Sequence, residues 1–324
     1  MKISIKDLEK LIKRALLKRY DQKETDLITD VVMFGELSGK TSHGIVRLES
    51  ILSEIPKAKP RFIRKTKLST IIEANSNPGM LVGPYAMGEV INIAQKNGFG
   101  IVGARGTFSS SGSLTFYLEK IAKEDLIGII MAQSPESTPP HGGIQPMFGT
   151  NPIAFSFPTK NKPLIFDMGT SAISFGALIR AKALGQKIPL NVAIDKEGNI
   201  TTDPSKAVEG ATLPFDNSYK GSGLAMMVEI LAGLWSGAWF TIHNKESGWG
   251  NLFMAFSPEL LMEKSEFKQK INLLRETVRN SKSKDGKPIR ISGEKTINTK
   301  DANLKKGYIE LDEKLISKLK ELAT

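Results

Sequence analysis

Two short apolar runs, the first lying between glycines, do most to limit what this chain can fold into. Gly98-Phe99-Gly100-Ile101-Val102-Gly103-Ala104 and Leu126-Ile127-Gly128-Ile129-Ile130-Met131-Ala132 are too short for core helices and too apolar for surface loops. Both read as buried strands. Ala86 to Lys96, with Met87, Val90, Ile91 and Ala94 at helical spacing, precedes the first run, and Leu114 to Lys123 reads as a helix between the two. Two strand–loop–helix passages predict an α/β core. Strands follow at Ile153 to Phe157 and Pro163 to Met168, and a helix runs on to Leu184 before Gly185.

The flanks are helical in pattern. Ser4 and Asp7 form a capping-box pattern ahead of an apolar stripe of Ile5, Leu8, Leu11, Ile12 and Leu16, predicting a helix over 4–20. A second helix is predicted from Thr25 to Leu37 and a third around Leu48 to Ile55, so the first 55 residues read as all-helical. The Lys- and Pro-rich segment 56–67 reads as a linker or edge. Leu224 to Ala238 is apolar on nearly every face and is expected to be buried. Ser257-Pro258 places an N-cap and a first-turn proline on a helix expected to reach about Asn280. Leu311 to Leu322 reads as a terminal amphipathic helix.

Composition excludes some chemistry. The chain has no cysteine, so disulfides, thiolate catalysis and cysteine-bound zinc are out. Three dispersed histidines, His43, His141 and His243, lack metal-ligand spacing, and no metal is expected. The net charge is +11, but the lysines are spread out with acids close by. That suits a field gathering anionic small molecules better than nucleic acid, which is not expected as a partner. No apolar stretch reaches 18 residues, so no membrane span is expected, and the N-terminus lacks a signal-peptide core; a cytoplasmic protein is the default.

Chemistry points to Gly39-Lys40-Thr41-Ser42-His43-Gly44-Ile45-Val46-Arg47-Leu48. If Ser42 begins a helix, His43 and Arg47 lie one turn apart on one face. They would offer a group that titrates near neutrality beside a fork for a carboxylate. For phosphate, no glycine fingerprint follows a strand and no P-loop is present. Lys220-Gly221-Ser222-Gly223, opening the apolar helix, can act as an anion site or simply as close packing. The same ambiguity holds for Asp167-Met168-Gly169-Thr170-Ser171 at a strand end.

Taken together, several segments resemble the malate/L-lactate dehydrogenase family of the second type, which also contains ureidoglycolate dehydrogenase, diketogulonate reductase, sulfolactate dehydrogenase and cyclic imino acid reductases. They are Ser42 to Leu48, Gly142-Gly143, Gly149 to Phe155, Asp167 to Ser171, Thr202-Asp203-Pro204, Leu213-Pro214, Lys220 to Ala225 and Ser292-Gly293-Glu294. Their order and spacing fit over essentially the whole chain. The resemblance implies a homodimeric oxidoreductase using NAD or NADP on a small carboxylate substrate. It implies an NAD(P)-binding domain, 71–256, on a mostly antiparallel sheet that is not a Rossmann fold. That domain would be inserted in a helical, substrate-side domain formed by 1–70 with 257–324. Position by position, it makes His43 the proton donor and Arg47 the carboxylate anchor, with Ser42 fixing the imidazole or touching substrate. It lines the cofactor with Ser134, Asp167, Met168, Gly169, Thr170, Ser171, Lys220, Gly221, Ser292, Gly293 and Glu294.

The chain departs from the family at pocket positions. Thr107-Phe108 stands where many members have His-Phe, Ile51 replaces a tyrosine, and His141 replaces an aromatic before the Gly-Gly pair. Thr107 and His141 are therefore expected in the substrate pocket, with His141 a candidate compensating contact. Two other readings stay open. Gln133-Ser134 resembles the ureidoglycolate branch, which leaves a ureidoglycolate dehydrogenase or cyclic imino acid reductase. Thr107 motivates a dinucleotide-binding relative with lost or altered catalysis.

Overall fold

The computed structural model describes residues 1–243 and 248–324. The chain opens with β1 (Lys2–Ser4), α1 (Ile5–Leu16) and α2 (Gln22–Leu37), then two 3-10 turns, Thr41–His43 and Ile45–Arg47, and α3 (Leu48–Ser53). Ser4 caps α1 by accepting from the Asp7 amide. Asp21 and Glu24 form a full capping box on α2, which starts that helix three residues ahead of its apolar pattern. Next come β2 (Arg61–Thr66), β3 (Ser69–Glu73), α4 (Gly79–Asn97), β4 (Phe99–Thr107), α5 (Leu114–Lys123) and β5 (Ile127–Ala132). The segment read as linker or edge is an edge: β2 is exposed along nearly its whole length and carries Arg61, Arg64 and Lys65, charges that discourage further strand pairing.

β6 (Ile153–Phe157) and β7 (Leu164–Met168) follow a long loop. A small satellite then contains α6 (Phe175–Ala183), β8 (Ala193–Ile194), α7 (Pro204–Glu209) and β9 (Ala211–Thr212). It has its own apolar cluster around Leu178, Ile188, Ala193 and Ala207. The chain ends with α8 (Tyr219–Val228), β10 (Trp249–Phe256), α9 (Lys264–Arg279), α10 (Glu294–Lys306), β11 (Tyr308–Glu310) and α11 (Glu313–Ala323).

Seven strands form one sheet in the order β2-β3-β4-β10-β5-β6-β7. Only β3 and β4 run parallel; every other neighbouring pair is antiparallel. The fold is thus α/β on a mostly antiparallel sheet, as the resemblance implies. The central strand, β10, arrives from the far C-terminal side of the sequence to pair with β4 and β5 at once. Covered on both faces, it reads Trp-Gly-Asn-Leu-Phe-Met-Ala-Phe with no clean alternation. The chain termini meet as well. β1 pairs with β11, and α1 packs on α11.

The all-helical reading of the first 55 residues misses β1, whose three residues are extended because they pair with β11. Ser257 does cap a turn with Pro258 in its first position, but that turn ends at Leu260 and the long helix begins only at Lys264. The apolar helix differs most. α8 widens into a π-helical turn at Glu229–Leu234. One side packs on the sheet through Val228 and Ala232. The other leaves Met226, Met227, Ile230, Leu234 and Trp235 exposed, with Trp235 61% accessible. An all-round apolar helix needs cover on every side, and this chain supplies it on one.

Buried Glu229 ties the π turn to the sheet through neutral donors among the described residues. Its carboxylate accepts from Asn151 Nδ2 (2.7 Å), Gln133 Nε2 (2.7 Å), the Thr241 amide (2.9 Å) and Thr241 Oγ1 (2.7 Å). Four donors on one carboxylate offset its desolvation and hold the ends of β5 and β6 in fixed relation.

Candidate active site

The last turn of α2 forms the floor of the site. A Cβ on Gly35 would stand 2.5 Å from the His43 carbonyl, and one on Gly44 would run into Glu36 Oε1. Only glycine at both positions lets the His43–Gly44 peptide lie this close to the helix. The contact also breaks the expected helix. Gly44 sits at φ −103°, ψ −140°, outside helical geometry, so the stretch becomes two 3-10 turns with His43 ending one and Arg47 ending the other.

Ser42 joins them in place of a helical face. Its Oγ is 2.9 Å from His43 Nδ1, and its carbonyl accepts from Arg47 Nε at 2.7 Å. That leaves His43 Nε2 for a reacting proton and the outer guanidinium nitrogens for a carboxylate. The start of α6 supplies a wall that the sequence did not suggest. A Cβ on Gly176 would lie 2.9 Å from Ser42 Cβ and 3.5 Å from Arg47 Nη2.

A second charged pair stands beside this one. Lys40 Nζ donates to Asp167 Oδ2 at 2.6 Å and to Thr115 Oγ1 at 3.2 Å. Thr115 in turn donates to the same carboxylate oxygen through Oγ1 (2.7 Å) and its amide (3.3 Å). Burial works against the Asp167 charge, but Lys40, Thr115 and His43 together hold its pKa below the usual 3.8. His43 is half-buried by accessible surface yet closely packed by protein atoms. Burial first, then Arg47 and Lys40, push it from 6.5 down to about 4, with Asp167 pulling the other way. The resting imidazole is therefore neutral at pH 7.

Most of the residues expected to line a cofactor are brought together at one sheet end. Ser134 Oγ lies 3.2 Å from Thr150 Oγ1. The Thr150 carbonyl accepts from the Thr170 amide at 2.8 Å, and the Thr170 carbonyl from the Phe215 amide at 2.9 Å. Gly221 packs on the Phe215 carbonyl, and Gly293 packs on that of Ile165 in β7. Gly169 and Ser171 flank Thr170, with Ser171 bridged to Pro214, and Met168 pairs with Ile153. Lys220 is exposed at the start of α8, Ser292 is exposed, and Glu294 opens α10 in an ion pair with Arg279. The part from Ser134 through Thr150 and Thr170 to Gly221 crosses the sheet end where β5 and β7 finish and β6 begins, and Asp167 connects it to Lys40 and His43, whereas Gly293 sits apart, near the start of β7.

The two pocket expectations sit further off. Thr107 ends β4 at the same sheet end but is 1% exposed, its hydroxyl donating to the Trp249 carbonyl at 2.7 Å and accepting from Asn251 at 3.1 Å. His141 is exposed in the loop between β5 and β6, and no hydrogen bond among the described residues ties it to His43 or Arg47. Sequence reasoning missed Lys40, Thr115, Gly176 and Glu36. Lys40 was visible only as part of a polar stretch, since its partner lies 127 positions away.

Comparisons with known proteins agree over the full length. The profile of the family described as malate/L-lactate dehydrogenase matches residues 3–320. The L-sulfolactate dehydrogenase of Methanocaldococcus jannaschii is 33% identical, covering 95% of this chain and 92% of that protein. The malate dehydrogenase of Pyrococcus horikoshii is 34% identical, covering 93% and 89%. The crystal structure of malate dehydrogenase from Entamoeba histolytica superposes with a TM-score of 0.93 at 27% identity, over 100% of this chain and 97% of that one.

Proposed function

The chain belongs to the malate/L-lactate dehydrogenase family, and from that premise we propose that it interconverts a small 2-hydroxy acid and its 2-oxo acid with NAD or NADP, His43 exchanging the proton and Arg47 holding the carboxylate. The observation that carries this reading is the Ser42 bracket, which presents His43 and Arg47 side by side with Nε2 and the outer guanidinium nitrogens unused among the described residues.

His43 has a coherent role in both directions. Neutral at rest, it is ready to accept the hydroxyl proton of a 2-hydroxy acid. A substrate carboxylate on Arg47 offsets one of the charges that hold the imidazole down, which raises its proton affinity once substrate is bound. The same group can then donate to the developing alkoxide of a 2-oxo acid. Ser42 orients the ring through Nδ1, and the Gly176 wall limits water around Arg47. A bound nicotinamide supplies the hydride.

The donor set fits such a cofactor. The α8 N-terminus offers free amides and Lys220 for phosphate, with Gly223 facing open space; Ser134, Thr150 and Thr170 add hydroxyls along the adjoining sheet end. Relatives in this family carry names that specify either coenzyme: the ureidoglycolate dehydrogenase of Escherichia coli is named for NAD(+), and the sulfolactate dehydrogenase of Chromohalobacter salexigens for NADP(+). We place the substrate-side unit at 1–70 with 257–324 and the cofactor unit at 71–256. The β1–β11 pair and the packing of α1 on α11 support joining the two ends, although position 70 falls within β3. Thr107 and His141 remain assigned to substrate selection.

Quenching of NADH and NADPH fluorescence tests cofactor binding. A panel of oxaloacetate, pyruvate, sulfopyruvate, ureidoglycolate and piperideine-2-carboxylate tests turnover. Binding without turnover of any of them would favour a relative with lost catalysis, and no binding of either coenzyme would overturn the assignment. Arg47→Ala is expected to raise KM for the acid by about 50-fold, the value of a charged hydrogen-bonded contact, with NADH affinity unchanged. Arg47→Lys should recover part of the loss, because it keeps the charge without the fork. An unchanged KM would remove Arg47 from substrate binding.

The uncovered side of α8 and its π turn supports a homodimer. Met226, Met227, Ile230, Leu234 and Trp235 form an apolar strip of the kind that associates in water. Light scattering should give twice the chain mass for the wild type and the single-chain mass for Trp235→Glu. A monomeric wild type would end the dimer proposal.

A further inference from the structure

Among the described residues, buried carboxyls have evident partners, with one exception. Glu24 pairs with Lys59 and completes the α2 cap, Glu119 meets Lys300 and Lys123, and Glu229 has its four donors. Glu36 is only 2% exposed, yet its Oε2 has no hydrogen-bond partner and no cation reaches it among the described residues. Its other oxygen, Oε1, accepts from the Ile45 amide at 2.7 Å and lies against Gly44.

The position of that one bond matters. Ile45 opens the 3-10 turn that ends in Arg47, and Gly44 closes the turn that ends in His43. The joint between the proton-exchanging group and the carboxylate anchor is therefore held from below by Glu36, while Gly35 meets the His43 carbonyl one residue earlier. Ser42 ties the two side chains together from above. Without Glu36 the Ile45 amide would lose its acceptor in a buried place, and the two turns would be free to rotate about Gly44.

We propose that Glu36 is a positioning residue for this reaction: its hydrogen bond to Ile45 sets the separation of the His43 imidazole from the Arg47 guanidinium, and so places the reacting oxygen of an anchored acid at His43. The proposal rests on the His43–Arg47 assignment above. It needs an acceptor at position 36 and not a charge. Burial, opposed by the Ile45 amide, pushes this carboxyl from 4.5 up to about 7, and the bare Oε2 is the natural seat of the retained proton.

Three variants test it, with steady-state kinetics, NADH fluorescence titration and the His43 ring 15N resonances as readouts. Glu36→Gln keeps a carbonyl oxygen facing Ile45 and should retain kcat within about 3-fold, with His43 resonances unmoved. Glu36→Ala should lower kcat by about 100-fold, the penalty of displacing a reacting group by about 1 Å, with NADH affinity kept and the His43 resonances shifted. Gly44→Ala drives a methyl into Oε1 and attacks the same bond from the other side, so it should reproduce the alanine variant and serves if that variant does not fold. Wild-type kcat and unmoved resonances in both disruptive variants would overturn the proposal. So would an equal loss in Glu36→Gln and Glu36→Ala, which would make the carboxylate charge the active feature. The resonances need no substrate. A reaction that depends on His43 but ignores Glu36 defeats this inference alone, whereas a reaction that ignores His43 defeats the function proposed above.

Discussion

His43→Ala is expected to lower kcat by about 1,000-fold, within the range removed with a positioned acid–base group, while NADH still quenches with wild-type affinity. The two halves of that expectation come from different parts of the structure. In the proposed reaction turnover depends on Nε2, the ring nitrogen not engaged by Ser42. Coenzyme affinity is assigned, in the proposed function, to the row from Ser134 through Thr150 and Thr170 to Gly221, held by its own hydrogen bonds and by Glu229. His43→Gln should fare no better than alanine, since an amide offers polarity without a usable proton affinity. Only the chemical step should suffer. If His43→Ala turned over at the wild-type rate, the proton would have to come from elsewhere, and Lys40, an amine whose charge acts on the same site, would be the next residue to substitute.

His43 and Arg47 were legible because their spacing is short and their residue types are restrictive. What connects them was not. A helix beginning at Ser42 was the simplest reading of a serine before an apolar pattern, and it fails because α2 passes too close beneath Gly44. That approach is a fact about packing between segments, and no local pattern encodes it. Lys40 with Asp167, and Glu36 beneath Ile45, are hidden for the same reason. The family became readable through the joint order of its segments along the chain, where each alone stayed ambiguous between anion binding and tight packing. In the fold, the short apolar strands β4 and β5, each preceded by a helical pattern, were found. β10 was not, because a strand covered on both faces loses the alternation that marks a half-buried one. β1 and β11 are three residues each and owe their form to partners some 300 positions away. The apolar helix was expected to be buried on nearly every face, but only the side of Val228 and Ala232 is, and its sequence pattern does not tell the packed side from the exposed one.

The pH dependence of stability offers a sharper test of the floor beneath His43, because two buried groups there act in opposite senses. His43 falls from 6.5 to about 4 on folding, chiefly through burial and the nearby Arg47 and Lys40. Below 6.5 the unfolded chain takes up a proton that the folded chain refuses, so this group destabilises the fold progressively as pH drops toward 4. Glu36 rises from 4.5 to about 7 through burial. Above 4.5 the unfolded chain gives up a proton that the folded chain keeps, so its contribution is complete below 4.5 and is lost as pH rises through 7. Each difference is worth about 3 kcal/mol at full extent. Between pH 4.5 and 6.5 the slopes oppose and nearly cancel, and the Asp167 carboxylate, held below 3.8, titrates outside that interval. Urea unfolding of the wild type should therefore be nearly flat across the interval. Glu36→Gln should expose the His43 slope, gaining about 3 kcal/mol from pH 4 to 6.5, and His43→Asn should expose the Glu36 slope, losing about 3 kcal/mol from pH 4.5 to 7. Opposite slopes in two single variants, hidden in the parent, cannot arise from a general change in net charge, which would tilt both curves the same way. Parallel curves in all three proteins would mean that neither group is held away from its ordinary protonation by the fold.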